Sequence, residues 1–145
     1  MVECGEGDGV LFLAREYPAA RVRGTDSSEE AIRAATARVG LDREGRVAFK
    51  AARPGVLPFP DDHFDLVVAL DGRPAATEAA RVLRAGGALV IADSGPTPSL
   101  ARLRDRVLWR LLRRHGIDPT ETAAAGDGSF AIGRRRGGSA AGGDE

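Results

Sequence analysis

The chain has 145 residues, of which 43% are hydrophobic, and its 21 basic and 21 acidic residues give a formal net charge of zero. This length fits one domain with a sizeable core, and the balanced charge provides no global field toward nucleic acid or a membrane. A single cysteine excludes an intrachain disulfide framework. With no signal-peptide pattern and no apolar run long enough for a bilayer, these features predict a cytoplasmic protein.

A glycine-rich segment opens the chain. The apolar pair Met1-Val2 leads into an acid, and alternating glycines follow in the stretch Glu3-Cys4-Gly5-Glu6-Gly7-Asp8-Gly9. Glycines let the backbone turn sharply and let a ligand approach where a Cβ atom would collide. The pattern predicts a short strand, a turn and a helix over residues 8–16, whose first N–H groups have no partner within the helix.

A second strand is predicted over residues 21–25, and Asp26 stands at its end. A carboxylate there, beside the glycine turn, can accept both ribose hydroxyls of a nucleoside, which predicts a nucleoside-cofactor site. The nicotinamide fingerprint needs a third glycine at the sixth position counted from Gly5, where this chain has Val10. That substitution disfavours a nicotinamide cofactor, and an ordinary glycine-rich turn without a ligand is the remaining alternative.

The next elements alternate between helix and strand. Ser27 and Glu30 predict a capping box that begins a helix running to about Val39, with Gly40 as its end. Further strands are predicted over residues 46–50, 64–70 and 88–92, and a helix over 75–84. The strand over 64–70 is nearly all apolar, as expected for a strand covered on both faces. This alternation predicts an α/β fold with a doubly wound, mostly parallel sheet.

The C-terminal third predicts a long amphipathic helix over residues 98–115. One stripe of apolar residues is expected to cover the last parallel strand, with Trp109 among arginines on the other side. The stripe comprises Leu100, Leu103, Val107 and Leu111, widened by Leu108 and Leu112. Residues 126–133 predict a final edge strand with a weak partner over 118–125. The Arg/Gly/Ala-rich residues 134–145 lack core residues and are expected to be disordered.

Two longer strings carry a family resemblance. Residues 57–67 (LPFPDDHFDLV) are similar to the LPFPDxxFDLV stretch of type 11 small-molecule methyltransferases, and residues 78–87 (EAARVLRAGG) to their EaaRVLkPGG stretch. The acid-x-Gly-x-Gly-x-Gly spacing that begins at Glu3 resembles motif I of class I S-adenosylmethionine (SAM)-dependent methyltransferases. The resemblance covers residues 1–93 in the right order. It implies a Rossmann-like methyltransferase fold with an antiparallel edge strand and SAM as cofactor.

The resemblance also implies roles for individual residues. Glu3 would hold the methionine amino group, Asp26 the ribose hydroxyls, and Ser27 would lie beside the adenine. The remaining cofactor-binding residues that it implies are Cys4, Gly5 and Gly7 through their backbone, Ala52 and Arg53 at the adenine edge, and Leu70 near the sulfonium. The chain departs from the family at Arg53, because family members carry an aspartate in that loop and a guanidinium cannot accept a hydrogen bond from adenine.

The predicted function is SAM-dependent methyl transfer to a small molecule by in-line displacement. The predicted SAM-binding domain covers residues 1–133. No catalytic residue is identified, and Asp71 is only a weak candidate for a general base. Cys4 has no histidine within sequence reach, and no metal site, nucleic-acid partner or membrane is expected. The alternative is a weak or inactive SAM-binding module that needs N-terminal lid helices or a partner; a homo-oligomer stays open.

Overall fold

The computed structural model describes residues 1–96 and 99–137. The helices are α1 (Asp8–Glu16), α2 (Glu29–Val39), α3 (Ala76–Val82) and α4 (Ser99–Arg114). The strands are β1 (Val22–Asp26), β2 (Val47–Ala51), β3 (Phe64–Leu70), β4 (Leu83–Asp93), β5 (Ile117–Ala125) and β6 (Gly128–Arg135). The predicted bounds of α1 are confirmed, and the chain leaves that helix immediately before Pro18.

The strands form two ladders that one residue joins. β1 pairs with β2 in parallel, β3 pairs with β4 in parallel, and β6 lies antiparallel between β4 and β5. Val2 forms parallel bridges to Thr25 of β1 and to Ala69 of β3. The spatial order is therefore β2-β1-Val2-β3-β4-β6-β5, which confirms the α/β, mostly parallel sheet with an antiparallel edge.

The predicted first strand is reduced to this junction. The Thr25 N–H donates to the Met1 carbonyl at 3.0 Å, and the Val2 N–H donates to the Val68 carbonyl at 2.9 Å. Glu3 then takes a positive φ of 51°, which turns the chain out of the sheet. The Met1 amino group donates to the Arg23 carbonyl at 2.5 Å, and burial lowers the pKa of this amine from 8.0 to about 6. A cavity of about 720 Å³ separates β1 from β3 beyond Met1.

Helices cover both faces of the sheet. Met1 packs with Val10 and Ala14 of α1, whereas its neighbour Val2 packs against the cluster that contains Leu89 and Leu112. Because adjacent residues in an extended chain point to opposite faces, the two clusters lie on opposite sides of the sheet. The α1 and α2 helices therefore cover one face and α3 and α4 the other, which is the doubly wound arrangement.

A charged pair on α3 holds the loop that precedes β3. The Leu57 N–H donates to Glu78 Oε2 at 2.8 Å, and the Arg81 guanidinium donates to the carbonyls of Leu57 and Phe59, both at 2.7 Å. Arg81 also donates to Glu78 at 2.7 Å and to Asp61 at 2.8 Å. The two family-like strings of the sequence are therefore in direct contact. These bonds, first of all those from Arg81, lower the pKa of Glu78 to about 2.

Two predicted helix boundaries and the predicted coverage of one strand were wrong by small amounts. Ser28, and not Ser27, caps α2 by accepting from the Ala31 N–H at 3.2 Å, so the helix begins one residue later. Helix α3 ends at Val82 instead of reaching Arg84, because β4 begins at Leu83. The start of the last helix at Pro98 lies outside the described residues. Strand β3 is not covered on both faces, because the side chains of Leu66 and Leu70 are exposed.

The prediction of which α4 face covers the sheet was right for Leu108 and Leu112 and wrong for Leu103, Val107, Leu111 and Trp109. Leu103, Val107 and Leu111 are 59%, 49% and 39% exposed, whereas Leu112 is fully buried. Leu108 and Trp109 pack against the same core cluster as Leu112. Trp109 lies so close to β6 that a Cβ added to Gly133 would be 2.8 Å from its ring. The helix is thus rotated from the predicted orientation, so that Leu103, Val107 and Leu111 face outward while Leu108 and Leu112 face the core.

A buried ion-pair network determines which face of α4 packs toward the sheet. The Arg73 guanidinium, in the link between β3 and α3, donates to Asp105 of α4 at 2.7 Å and to Asp93 of β4 at 2.8 Å. Only 11% of the Arg73 side chain is exposed. An unpaired charge at such a depth is strongly unfavourable, so Asp105 must point inward. The apolar pattern of the helix alone carries no sign of this partner.

The last strand runs past the predicted end at Gly133. β6 continues to Arg135, which donates to the Leu83 carbonyl and to Asp62, and Arg136 pairs with Asp118 at 2.6 Å. Arg134 donates to the Gly86 carbonyl at 3.2 Å. The prediction of disorder was therefore wrong for residues 134–136, which make specific contacts; residues 138–145 lie outside the described part of the chain.

We expect Glu78→Gln to lower the free energy of unfolding at pH 7 by on the order of 2 kcal/mol, because its carboxylate loses its charge-assisted bonds to Arg81. A carboxylate with a depressed folded-state pKa stabilises the fold above its unfolded-state pKa of about 4.5, and this contribution is lost as the pH falls toward 2. Urea unfolding at pH 7, 5 and 3 should therefore show the two proteins converging at low pH. Glu121→Gln, on exposed β5, serves as the control; a constant difference at every pH would contradict the assignment.

Candidate functional site

The predicted carboxylate meets the glycine turn directly. Asp26 Oδ2 accepts from the Gly5 N–H at 2.9 Å, and Asp26 Oδ1 accepts from the Ser28 N–H at 2.9 Å. A carboxylate has about four acceptor positions, so each oxygen keeps one for a further donor. The backbone of two segments therefore fixes the orientation of a carboxylate that can still accept two hydroxyl groups.

The two glycines of the turn are needed for different reasons. Gly7 has φ +88° and precedes α1, and a Cβ added there would lie 2.7 Å from the Phe49 ring and 3.0 Å from the Ala35 Cβ. Gly5 has φ +53°, but a Cβ added there would meet nothing within 4 Å. Gly7 thus lets the turn pack onto α2 and β2, whereas Gly5 faces open space beside Asp26.

Glu3 brings the turn together with the segment after β3. Its carboxylate lies against Gly72, where an added Cβ would be 2.1 Å from Glu3 Oε2. Glu3 is also one of the non-glycine residues with positive φ, at 51°. Backbone strain of this kind costs about 1–3 kcal/mol and clusters at functional sites. The exposed Glu3 carboxylate therefore stands where the turn, β3 and α3 converge.

Five of the nine predicted cofactor-binding residues line one cleft at the carboxyl ends of the parallel strands. They are Glu3, Asp26, Ser27, Ala52 and Arg53. The 52–57 loop forms one wall of the cleft, and the segment Arg73-Pro74-Ala75 forms another. In an open parallel sheet, ligands bind in such a crevice at the point where the strand order reverses, which here is Val2.

The other four lie around the turn and at the end of β3. Gly5 and Gly7 form the turn itself, and Leu70 is exposed at the carboxyl end of β3, outside the residues that line the cleft. The Cys4 side chain is buried beneath the turn, and its burial together with the nearby Asp26 raises the pKa of the thiol. A protonated, buried thiol is a poor nucleophile, in agreement with the sequence analysis. The cofactor roles of all nine residues stay predictions.

Asp71 connects the ends of β3 and β4. It has φ +57°, its N–H donates to the Ala92 carbonyl at 2.8 Å, and its carboxylate accepts from both the N–H and the hydroxyl of Ser94 at 2.7 Å. The hydrogen bonds from Ser94 lower the pKa of Asp71. A general base works best with a pKa near the working pH, so this environment disfavours the catalytic role that the sequence suggested.

Arg73 is a residue of the cleft wall whose ion-pair partners sequence reasoning missed. It lines the cleft wall while its guanidinium bonds Asp93 and Asp105. Those hydrogen bonds raise the pKa of Arg73 further, so it is charged under all ordinary conditions. Its partners lie 20 and 32 residues away in sequence, which no local spacing reveals.

Comparison with known proteins decides the family. A family model described as a methyltransferase domain matches residues 2–87. The chain belongs to this family. It is 39% identical over 100 residues to the methyltransferase GfsG of Streptomyces halstedii, and 35% identical over 120 residues to the ubiquinone/menaquinone biosynthesis C-methyltransferase UbiE of Syntrophotalea carbinolica. These alignments cover 63% and 77% of this chain, but only 36% and 48% of the relatives.

The fold agrees with that of solved methyltransferases. A SAM-dependent methyltransferase from Aquifex aeolicus superposes with a TM-score of 0.76 at 18% identity, over 92% of this chain and 79% of the other. The methyltransferase domain described here is thus of the class I, Rossmann-like type, and its family membership makes SAM its cofactor. The residues of the cleft fit this cofactor, because Asp26 has unused acceptor positions at the strand end.

We expect Gly7→Ala to destabilise the domain by about 3 kcal/mol, since the new Cβ adds a clash with Phe49 and Ala35 to the strain of a left-handed backbone. Gly5→Ala is the matched control, with a positive φ but open space, and should cost about 1–2 kcal/mol. Urea unfolding measures both. Equal losses would show that the packing of the turn on α2 and β2 is unimportant.

Proposed function

We propose that this methyltransferase domain transfers the methyl group of SAM to a small-molecule acceptor. The observation that carries the proposal is the Asp26 carboxylate, which the N–H groups of Gly5 and Ser28 hold at the cleft with two acceptor positions unused. A carboxylate in this place on an open parallel sheet suits ribose recognition. The domain is proposed to extend from the turn through β6.

Each wall of the cleft receives a part of the cofactor in this proposal. Asp26 accepts from the two ribose hydroxyls, and Glu3 accepts from the amino group of the methionine part. The adenine lies against Ala52 and Ser27, and Arg53 offers it a cationic face without an acceptor for its amino group. When bound, SAM supplies an electrophilic methyl group, and transfer leaves S-adenosylhomocysteine.

The acceptor is proposed to carry its own nucleophile. His63 precedes β3, about 20 Å of strand away from Leu70, and His115 follows α4, so neither histidine of the described chain lies at the carboxyl edge. Asp71 is held by Ser94 with a lowered pKa. The domain therefore aligns an acceptor that is already ionised or electron-rich, and it contributes alignment and exclusion of water. A resonance-stabilised carbanion or a phenolate fits this requirement.

A second candidate is a SAM-binding module whose turnover needs a further segment or a partner. The observation in its favour is the exposure of apolar side chains around the cleft, namely Val56 at 48% and Leu70 at 39%. A site that excludes water covers such side chains. In this case SAM binds to the domain, but methyl transfer is slow until that cover is supplied.

Calorimetry with SAM tests the binding step. We expect Asp26→Ala to weaken SAM binding at least tenfold, about 1.4 kcal/mol, because two charge-assisted hydrogen bonds to ribose are lost. Glu30→Ala, on the exposed first turn of α2, is the matched control and should bind SAM normally. Unchanged affinity in the Asp26 variant, or tighter binding of NAD than of SAM, would overturn the proposal.

Turnover separates the two candidates. The protein is incubated with SAM and a panel of phenols, carboxylates and stabilised carbon nucleophiles, and S-adenosylhomocysteine is quantified together with the methylated product. The leading proposal expects equimolar product and S-adenosylhomocysteine with at least one acceptor class. Tight SAM binding with no product across the panel supports the module that needs a cover.

A further inference from the structure

Helix α4 concentrates positive charge in a chain whose formal net charge is zero. Its one acid, Asp105, is occupied by Arg73. In the described part of the chain, neither Arg106 nor Arg110 forms an ion pair with an acid. The helix carries six arginines: Arg102, Arg104, Arg106, Arg110, Arg113 and Arg114.

The same helix exposes an apolar stripe. Leu103, Val107 and Leu111 recur every four residues and lie on the outer surface, while Leu108, Trp109 and Leu112 already pack on the sheet. The outward stripe is therefore not needed for the packing of α4. Single exposed apolar residues are ordinary, but three in one row along a helix mark an interaction surface.

Arginines flank the exposed apolar stripe, and Arg106, Arg110 and Arg113 also line the groove between α4 and the β5–β6 hairpin. At about 100° per residue, Leu103, Val107 and Leu111 occupy an arc of about 80°, with Arg106, Arg110 and Arg113 on one side of it and Arg104 on the other. The arginine row from Arg102 to Arg113 extends about 16 Å along the helix. Arginine side chains thus border an apolar strip along the helix.

This arrangement of charge and apolar side chains fits an anionic lipid surface better than it fits a small anion or a nucleic acid. A small anion occupies one or two arginines and leaves the apolar stripe exposed to water, and a nucleic-acid backbone offers charges without an apolar layer beneath them. A bilayer offers headgroup phosphates at one depth and hydrocarbon directly below. None of the helices in the described residues is long and apolar enough to cross a membrane. We propose that α4 binds the surface of anionic membranes through its outward face.

The ion pairs of Arg73 connect this surface to the cofactor cleft. Arg73 lines the cleft and bonds Asp105 on the inner face of α4. The helix therefore keeps a fixed position relative to the cleft when its outer face is on a membrane. The proposal itself rests only on the surface of α4 and stands or falls independently of methyl transfer.

Vesicle co-sedimentation tests it with the full chain. Vesicles of phosphatidylglycerol and phosphatidylcholine in equal parts are compared with pure phosphatidylcholine vesicles. We expect the partition coefficient to be about tenfold or more higher on the anionic vesicles, and to fall when the salt is raised from about 0.1 to 0.5 M, because salt screens the arginines. Equal partition on both vesicle types would overturn the proposal.

Three variants make the test specific. Leu103→Ser/Val107→Ser/Leu111→Ser and Arg106→Gln/Arg110→Gln should each lower the partition coefficient about tenfold while circular dichroism stays unchanged. Arg15→Gln/Arg33→Gln, on α1 and α2 at the other face of the sheet, removes the same charge and should bind normally. Full binding by both α4 variants would sink the proposal. So would a dimer in size-exclusion chromatography that the serine variant dissolves, or tighter binding to RNA than to the vesicles.

Discussion

The carboxylate of Asp26 is the group on which the cleft depends. Its two oxygens accept from the Gly5 N–H and the Ser28 N–H, so one side chain joins the turn before α1 to the turn before α2. The sheet at this point is continuous only through Val2. A rotated or missing carboxylate would remove the shared partner of two backbone N–H groups beside that junction. The proposed ribose acceptor is thus also the group that keeps the turn in position.

Charge-assisted bonds hold the remaining walls of the cleft. Glu78 and Arg81 fasten the loop before β3 to α3 through the backbone of Leu57 and Phe59, and Arg73 fastens the β3–α3 link to β4 and α4. In both places a guanidinium, with five N–H donors in a planar fork, satisfies several acceptors at once. The family-like strings of this methyltransferase domain therefore serve the architecture of the cleft at least as much as its chemistry.

Local patterns predicted the elements, and long-range partners decided what the patterns missed. Alternating glycines, Gly40 and the apolar run before Leu70 were sufficient for α1, α2 and β3, because those signals act within a few residues. The predicted packing face of α4 was partly wrong because Asp105 forms an ion pair with Arg73. The prediction that disorder begins at residue 134 was wrong because Arg135 donates a hydrogen bond to the Leu83 carbonyl. For the site, the spacing predicted that Asp26 and the glycine turn would meet, which the 2.9 Å bond from the Gly5 N–H confirms. The pairing of Arg73 with Asp93 and Asp105 could not be predicted, because these partners are distant in sequence.

A crystal structure of the domain with S-adenosylhomocysteine tests the proposed role of Asp26. We expect both ribose hydroxyls within about 3.2 Å of the Asp26 carboxylate oxygens, with the bonds from Gly5 and Ser28 still in place. A nucleoside bound elsewhere on the domain, or an Asp26 side chain turned away from the ribose, would contradict it.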